Sequence, residues 1–306
     1  MNRFKNILYV TETTMDQVSA VARAVSLAEN NQANLTIIDV ISPVADSHKG
    51  EAMAGRMKAL ETLVQPYQHR LKIQLDVLMG RRVFIEVIRA VLRNGYDLVI
   101  KAEENPNFLK RLFGSDDVQL LRKCPCPLWL MKLPENPNYK CIVAAVDFDP
   151  MKSTAVEQDL NQEILELASS LAISDFAALH LAHAWKAFAE KTMHARGVNT
   201  NTGIVAHVEK EYLLHQNGLY KLSEALKNRI GKDAYTYLSP DFHLPKGSAK
   251  KMIPALAADL KADLVVMGTA ARTGIAGIVF GNTAEAILDH LKCSLLVIKP
   301  SDFKTP

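Results

Sequence analysis

The chain is poor in several residues and patterns whose presence would decide its class at once. Four cysteines in 306 residues, irregularly spaced at 124, 126, 141 and 293, cannot form the disulfide framework of a small secreted fold, so a reducing compartment is expected. There is no long apolar run at the N-terminus, where MNRFKNILYVTETTMD offers neither a signal-peptide core nor a spanning helix; the expected location is the cytoplasm. Charge of one sign is lacking too. The 36 basic and 33 acidic side chains are spread along the sequence without a basic tract, so nucleic-acid binding is not indicated. Three catalytic signatures are absent: the P-loop G-x4-G-K-[ST], the nucleophile elbow G-x-S-x-G and the metalloprotease H-E-x-x-H. Cys124-Pro-Cys126 is C-x-C without a second pair or a nearby histidine to complete a tetrahedral metal set, and reads as small apolar residues where a helix passes into a strand. His180 and His183, three apart in ALHLAHAW, would point to opposite faces of a strand and so could not share one metal; they read as core or edge histidines.

What is present is one pattern written twice. Apolar residues make up 48% and charged residues 23%, enough to fold, and the length suggests two domains. KNILYVTE opens the first half and KCIVAAVD the second, each a β-branched run that closes on a carboxylate, Glu12 or Asp147. A helical pattern and a second buried strand follow in both: VSAVARAVSLAE with LTIIDVI, then QEILELASSLA with AALHLAHAW. YDLVIK, VQLLRKC and PLWLMK of the first half return as ADLVVMG, AEAILDHLKC and SLLVIK. Leu133 to Tyr139, LPENPNY, has the composition of a linker. The expected domains are 1–134 and 138–306. Alternation of helices with strands that lack in-and-out patterning predicts an α/β protein of two tandem, doubly wound, parallel five-stranded sheets. The strands are expected near 6–11, 34–41, 72–79, 97–101 and 127–132, and near 140–147, 176–184, 234–240, 263–268 and 294–299. Residues 186–233 exceed the matching connection of the first half, and EKEYLLHQNGLYKLSEALKNRI within them reads as a long amphipathic helix, on the surface or as a flap.

Between the strand LVVM and the helical TAEAILDHL stands GTAARTGIAGIVFGN, Gly268 to Asn282, rich in glycine. Such a stretch serves a turn, or lets backbone N–H groups approach an anion at a helix start. A first strand ending in Asp, a late strand ending MG and a glycine loop closing on GNTAE together resemble the universal stress protein family, across both halves, and within it the tandem type of Gram-negative bacteria. ATP-binding members carry G-x2-G-x9-G-[S/T/N]. Here Gly268 fills the first glycine, Ala271 stands at the second, and Gly281 with Asn282 fills the end. The resemblance implies that Asp147 and the backbone near Ala184 line adenine and ribose, and it counts the strand end Met267-Gly268 among the nucleotide-binding residues. Gly281, Asn282 and Thr283 would open the last helix toward phosphates, with Arg272 adding a charge-assisted contact. Each residue also has a plainer reading: Asn282 or Thr283 as a helix cap, Arg272 as a solvated charge, Asp147 as part of a turn.

The first-half window KAEENPNFLKRLFGSDD has no glycine from Lys101 to Phe113 and brings Glu103 and Glu104 where phosphates would sit, which points to a degenerate copy. The resemblance thus implies a stress-response regulator, not an enzyme, binding an adenine nucleotide, ATP with or without magnesium, in its second half. An ATP-using enzyme and an interaction scaffold or apolar-ligand binder remain as alternatives, the last kept open by Ala271. Packing of the two halves as an intramolecular pseudo-dimer, a homodimer of the whole chain, and an unknown regulatory protein partner are further expectations.

Overall fold

The computed structural model describes residues 3–12, 15–104, 115–152, 154–187, 201–269, 282–300 and 303. Along the chain run β1 (Asn6–Val10), α1 (Val18–Asn31), β2 (Asn34–Ile41), α2 (Asp46–Val64), β3 (Ile73–Met79), α3 (Val83–Asn94), β4 (Leu98–Ala102), α4 (Asp116–Lys123) and β5 (Leu128–Met131). The second repeat supplies β6 (Cys141–Ala145), α5 (Ala155–Asp175), β7 (Ala178–Ala182), α6 (Asn201–Ile230), α7 (Lys232–Leu238), β8 (Asp241–His243), α8 (Ala249–Asp259), β9 (Leu264–Gly268), α9 (Asn282–His290) and β10 (Ser294–Ile298).

The repeat is written in hydrogen bonds as well as in sequence. Asp97, just before β4, grips the start of β1 by accepting from Lys5 N at 2.7 Å and Asn6 N at 3.2 Å. Asp263, just before β9, does the same for β6, accepting from Lys140 N at 2.6 Å and Cys141 N at 3.0 Å. These carboxylates satisfy strand-end amides that no neighbouring strand reaches. At the other end of each first strand an amide side chain repeats the device: Gln17 Oε1 accepts from Glu12 N at 2.9 Å, and Asn161 Oδ1 from Asp147 N at 3.0 Å. Helix α5 is anchored by a capping box, in which Thr154 Oγ1 accepts from Glu157 N and Glu157 Oε2 from Thr154 N. Gly95 closes α3 at φ 66°, a left-handed position where a side chain would be strained.

The chain falls into two compact units that do not follow the repeat boundary. One holds residues 1–139, 269–281 and 293–306; the other holds 140–268 and 282–292. In the first the strand order is β3-β2-β1-β4-β5-β10, parallel except that β10 runs antiparallel to β5, with Leu296 opposite Trp129. The apolar edge of β5 is thereby covered, and Leu128, Trp129, Leu295, Leu296 and Val297 are essentially inaccessible. In the second unit the order is β9-β6-β7-β8, all parallel.

Two sequence expectations need correction or refinement. Residues 234–240 are not a strand: α7 occupies 232–238, and β8 follows as only three residues. Ala234, Tyr235 and Leu238 have helical spacing, Ser239 ends the helix in a left-handed conformation (φ 40°), and Pro240 prevents its continuation. The linker is no solvated tether. Glu135 N donates to Ser19 Oγ at 3.0 Å, and the buried guanidinium of Arg23 lies 4.3 Å from the Tyr139 ring while donating to Pro137 O at 3.1 Å. Among the described residues no helix is long and apolar enough to cross a membrane.

Candidate functional site

Strand order reverses between β6 and β9. Beyond β6 the chain moves to β7 and β8 on one side, then crosses back to place β9 on the other, which makes this the switch point at whose carboxyl ends open α/β sheets take their ligands. Register puts Ala145 of β6 level with Ala182 of β7 and Met267 of β9. Asp147, Ala184 and Gly268 lie one or two residues beyond these partners. Four of the expected site residues, Asp147, Ala184, Met267 and Gly268, are therefore brought to one edge of the second unit's sheet.

They differ in what they present there. The carboxylate of Asp147 is exposed, while its backbone is fixed on both sides by Asn161: the side-chain Oδ1 accepts from its N–H, and Nδ2 donates to its carbonyl at 2.8 Å. Asn161 is almost fully buried in α5, so it reads as the residue that aims Asp147 outward. Ala184 is half-buried. Met267 is buried, and contributes chain direction more than side-chain surface. Gly268 has a packing reason of its own, since a Cβ there would sit 2.7 Å from Leu160 Cδ2 and 3.3 Å from Ile164 Cδ1, too close for α5 to keep its seat. Ala271, Arg272 and Gly281 lie outside the described residues. Asn282 and Thr283 are the first residues of α9, which places helix-terminal N–H groups there.

Beside Ala184 stands a group that sequence reasoning assigned only to core or edge positions. His183 Nδ1 meets Val146 O at 3.2 Å, so it carries the proton; His183 Nε2 then accepts, and His215 Nδ1 of α6 donates to it at 2.9 Å. Phe148 stacks on the His183 ring at 3.9 Å, and Trp185 stands 5.4 Å from His215. Helix α6 approaches this cluster closely at Gly218, where a Cβ would fall 2.3 Å from Phe148 Cε2. The helix expected over 209–230 starts at Asn201 and is seated rather than loose: His215, Leu219, Ser223 and Leu226 are buried along one face. His180 takes different company, with its Nδ1 3.0 Å from His243 Nε2, in keeping with the opposite faces expected of the two histidines. Among the described residues no group of three or more His, Cys, Asp or Glu side chains is placed to hold a metal.

The first unit reverses its strand order at the corresponding point, between β1 and β4, where a buried charge cluster occupies the β4 side, while a cavity lined by Thr11, Gln17, Asp39 and Arg56 remains beside the ends of β1 and β2. Lys101 of β4 stands where Met267 stands in β9, and it is 1% exposed. Its Nζ lies 2.9 Å from Asp117 Oδ1, 3.3 Å from Glu12 Oε2 and 3.4 Å from Glu104 Oε1, and it donates to Ala102 O at 3.2 Å. Burial alone would lower this lysine's pKa. The surrounding Asp117, Glu104 and Glu12 carboxylates overcome that and raise it above the usual range. Burial raises the Glu104 carboxyl, and Lys101 only partly opposes the shift. Glu103 turns to Lys132 at 2.5 Å. Nothing in the one-letter pattern distinguishes Lys101 except its place in an otherwise apolar strand.

A model of the universal stress protein family matches residues 3–132 and again 138–299. Over 324 residues, and the whole of this chain, the sequence is 29% identical to universal stress protein E of Escherichia coli strain K12, 97% of which is covered. It is 28% identical over 322 residues to universal stress protein E of Photorhabdus laumondii, with 100% of this chain and 98% of that protein aligned. Among solved structures, a universal stress protein of Pseudomonas aeruginosa superposes with a TM-score of 0.72 at 25% identity, covering 98% of this chain and 95% of that one. One from Archaeoglobus fulgidus gives 0.65 at 17% identity with 97% of each chain covered, a likeness of fold alone. The chain belongs to the universal stress protein family, as a tandem member with two such domains.

Proposed function

We propose that this tandem universal stress protein is a regulator that binds one adenine nucleotide, ATP, at the carboxyl edge of β6 and β9. The observation that carries the reading is the contrast at the two strand reversals: at the second, Asp147 is exposed on a backbone fixed by Asn161, whereas at the first the equivalent Glu12 is tied, with Glu104 and Asp117, to the buried Lys101. The described residues fit the nucleoside end. An outward carboxylate can accept from ribose hydroxyls, and the half-buried backbone at Ala184 and Gly268 suits the flat face of a base. Phosphates are assigned to the start of α9 and to Gly281, with Arg272 beside them, on the strength of the motif.

Slow turnover is part of the proposal. Asp147, the carboxylate at the strand ends, is assigned to the nucleoside and not to the phosphates. Calorimetric titration of ATP into the full-length chain tests the reading. One site is expected, lost in Gly281→Val and weakened in Asp147→Ala, with phosphate release remaining slow. Two sites, or a single site indifferent to both substitutions, would refute it. A scaffold without nucleotide draws support from Gly268, whose missing side chain packing against Leu160 already explains. Full-length protein that binds neither ATP nor any other adenine nucleotide would favour that second reading.

A further inference from the structure

Away from the crevices, the first unit buries two thiols in contact. Cys124 closes α4, its N–H donating to Leu120 O at 2.8 Å, and Cys126 follows after one proline, just before β5. The two Sγ atoms are 3.7 Å apart; Cys124 is wholly buried and Cys126 is 8% exposed. A third group completes the cluster. Lys299, one residue past β10, buries its side chain and donates from Nζ to Leu121 O, in the same last turn of α4, which brings an ammonium to the thiols' side of the helix end.

We propose that Cys124 and Cys126 form a peroxide-reactive dithiol, with Cys124 as the attacking thiol, Cys126 as the resolving thiol and Lys299 as the positioning charge. The electrostatics agree. The hydrogen bond from Cys126 lowers the Cys124 thiol against the effect of burial, and Lys299 adds to the lowering, while Cys126 is pushed up as the partner that keeps its proton. Burial brings Lys299 down to about 8, the two thiols opposing that shift. A thiolate beside a cation and a second thiol favours reversible oxidation over damage, and because Cys124 is wholly buried the peroxide reaches it only through local opening of the α4–β5 junction.

The chemistry balances in two steps. The Cys124 thiolate attacks one oxygen of a hydroperoxide; the O–O bond breaks, sulfur loses two electrons, and the leaving oxygen departs as water or alcohol after taking a proton. Cys126 sulfur then attacks the sulfenic acid, the S–O bond breaks, and a second water leaves with the Cys126 proton. The sulfurs close from 3.7 Å to the roughly 2.05 Å of a disulfide, at the junction that joins α4 to β5.

The test uses the full-length chain, reduced, freed of reductant, exposed to graded hydrogen peroxide, then alkylated with N-ethylmaleimide and digested with trypsin. Both thiols fall in the peptide from Cys124 to Lys132. This peptide is expected to lose two hydrogens and to refuse maleimide until dithiothreitol is added, at peroxide doses that leave Cys141 alkylated. In Cys126→Ser, dimedone should capture a sulfenic acid at Cys124. Lys299→Met should slow the oxidation about two- to threefold, since the charge of Lys299 is the weakest of the influences on Cys124, and Lys299→Arg should restore most of it. A peptide that keeps both maleimides at doses already oxidising Cys293 would overturn the dithiol, whatever the lysine variants do. Equal rates in wild type and a folded Lys299→Met protein, checked by circular dichroism, would overturn the role of Lys299.

Discussion

Lys101 and Met267 occupy the same place in their repeats, one strand residue short of the turn at which the sheet reverses, yet one carries a buried charge and the other a buried thioether. In the first unit the buried ammonium pairs with Glu12, Glu104 and Asp117. In the second no cation is supplied at that position, and the carboxylate equivalent to Glu12, Asp147, faces outward. The residue at this one strand position thus goes with a difference in the carboxylate closing the first strand: Glu12 is paired with a buried ammonium, and Asp147 is exposed. Duplication gave the chain two copies of one architecture, and the difference in burial and charge separates a structural copy from a candidate binding copy.

The largest test of this contrast removes the lysine. Lys101→Met leaves Asp117, which is 3% exposed, as an uncompensated buried charge, and breaking one partner of such a group costs about 3 to 5 kcal/mol. Urea unfolding at neutral pH should show that loss. Asp117→Asn in the same chain should recover part of it. No second ATP site should open, because Glu12 and Glu104 remain. An unaltered urea midpoint would mean that Lys101 does not hold the crevice closed.

The units also differ in how pH reaches them, through Glu135, which follows β5 and packs into the first. Burial pushes its carboxyl up to about 7, against hydrogen bonds from Ser294 Oγ (2.6 Å) and Asn136 N (3.0 Å), the Tyr139 hydroxyl and the charge of Arg23. The folded state therefore holds this proton more tightly than the unfolded chain does. The sign follows: no penalty exists below the ordinary carboxyl range, stability falls as pH rises toward 7, and above that the full cost of about 3 kcal/mol is present. Glu135→Gln should remove it, gaining that much at pH 8 and little near pH 4, as read by thermal or urea unfolding at both values. A gain of equal size at both pH values would refute the assignment to titration.

Much of the architecture was legible because each repeat states it in the same words: an apolar strand, a carboxylate before β4 or β9, a helix with one apolar face. The family followed from the same residues. Less legible were elements decided by partners far away in sequence. Residues 234–240 look β-like from Tyr235 and Tyr237, yet the chain winds into α7, with Tyr235 hydroxyl against Ser223 of α6. The Lys101 cluster needs residues 12, 101, 104 and 117 together, and no spacing rule joins them. Asn161 was silent for the same reason, since its function is to satisfy the backbone of a residue fourteen positions earlier. The C-terminal strand reads as the fifth of its own repeat, and only the compact units reveal that it groups with β5.

A smaller effect separates the strand ends. Gly268 and Ala102 are equivalent, and opposite substitutions should both destabilise. Gly268→Ala drives a methyl into Leu160, overpacking worth about 1 to 3 kcal/mol. Ala102→Gly removes a fully buried methyl and adds backbone freedom, costing roughly 1 kcal/mol. If Gly268→Ala left stability unchanged while abolishing ATP binding, the glycine would belong to the ligand and not to the helix packing.

The smallest effect concerns Ala271, the motif position where this chain departs from the nucleotide-binding pattern. It lies outside the described residues, so its consequence rests on backbone chemistry. If the loop needs a left-handed residue there, alanine costs about 1 to 2 kcal/mol relative to glycine, which weakens binding roughly five- to thirty-fold. If the position instead has negative φ and lies against phosphate, the methyl displaces the ligand, and the loss concentrates on the triphosphate. Ala271→Gly should tighten ATP binding in either case. Adenosine reports what the loop touches: a loop that contacts phosphate alone weakens the triphosphate and leaves the nucleoside nearly untouched, whereas a loop that also shapes the base pocket shifts both. Calorimetry of Ala271→Gly with ATP and adenosine, set beside the same titrations of Lys101→Met, would show whether any change belongs to the second crevice. Equal affinities in wild type and Ala271→Gly would mean that the glycine-rich stretch serves its turn and no phosphate.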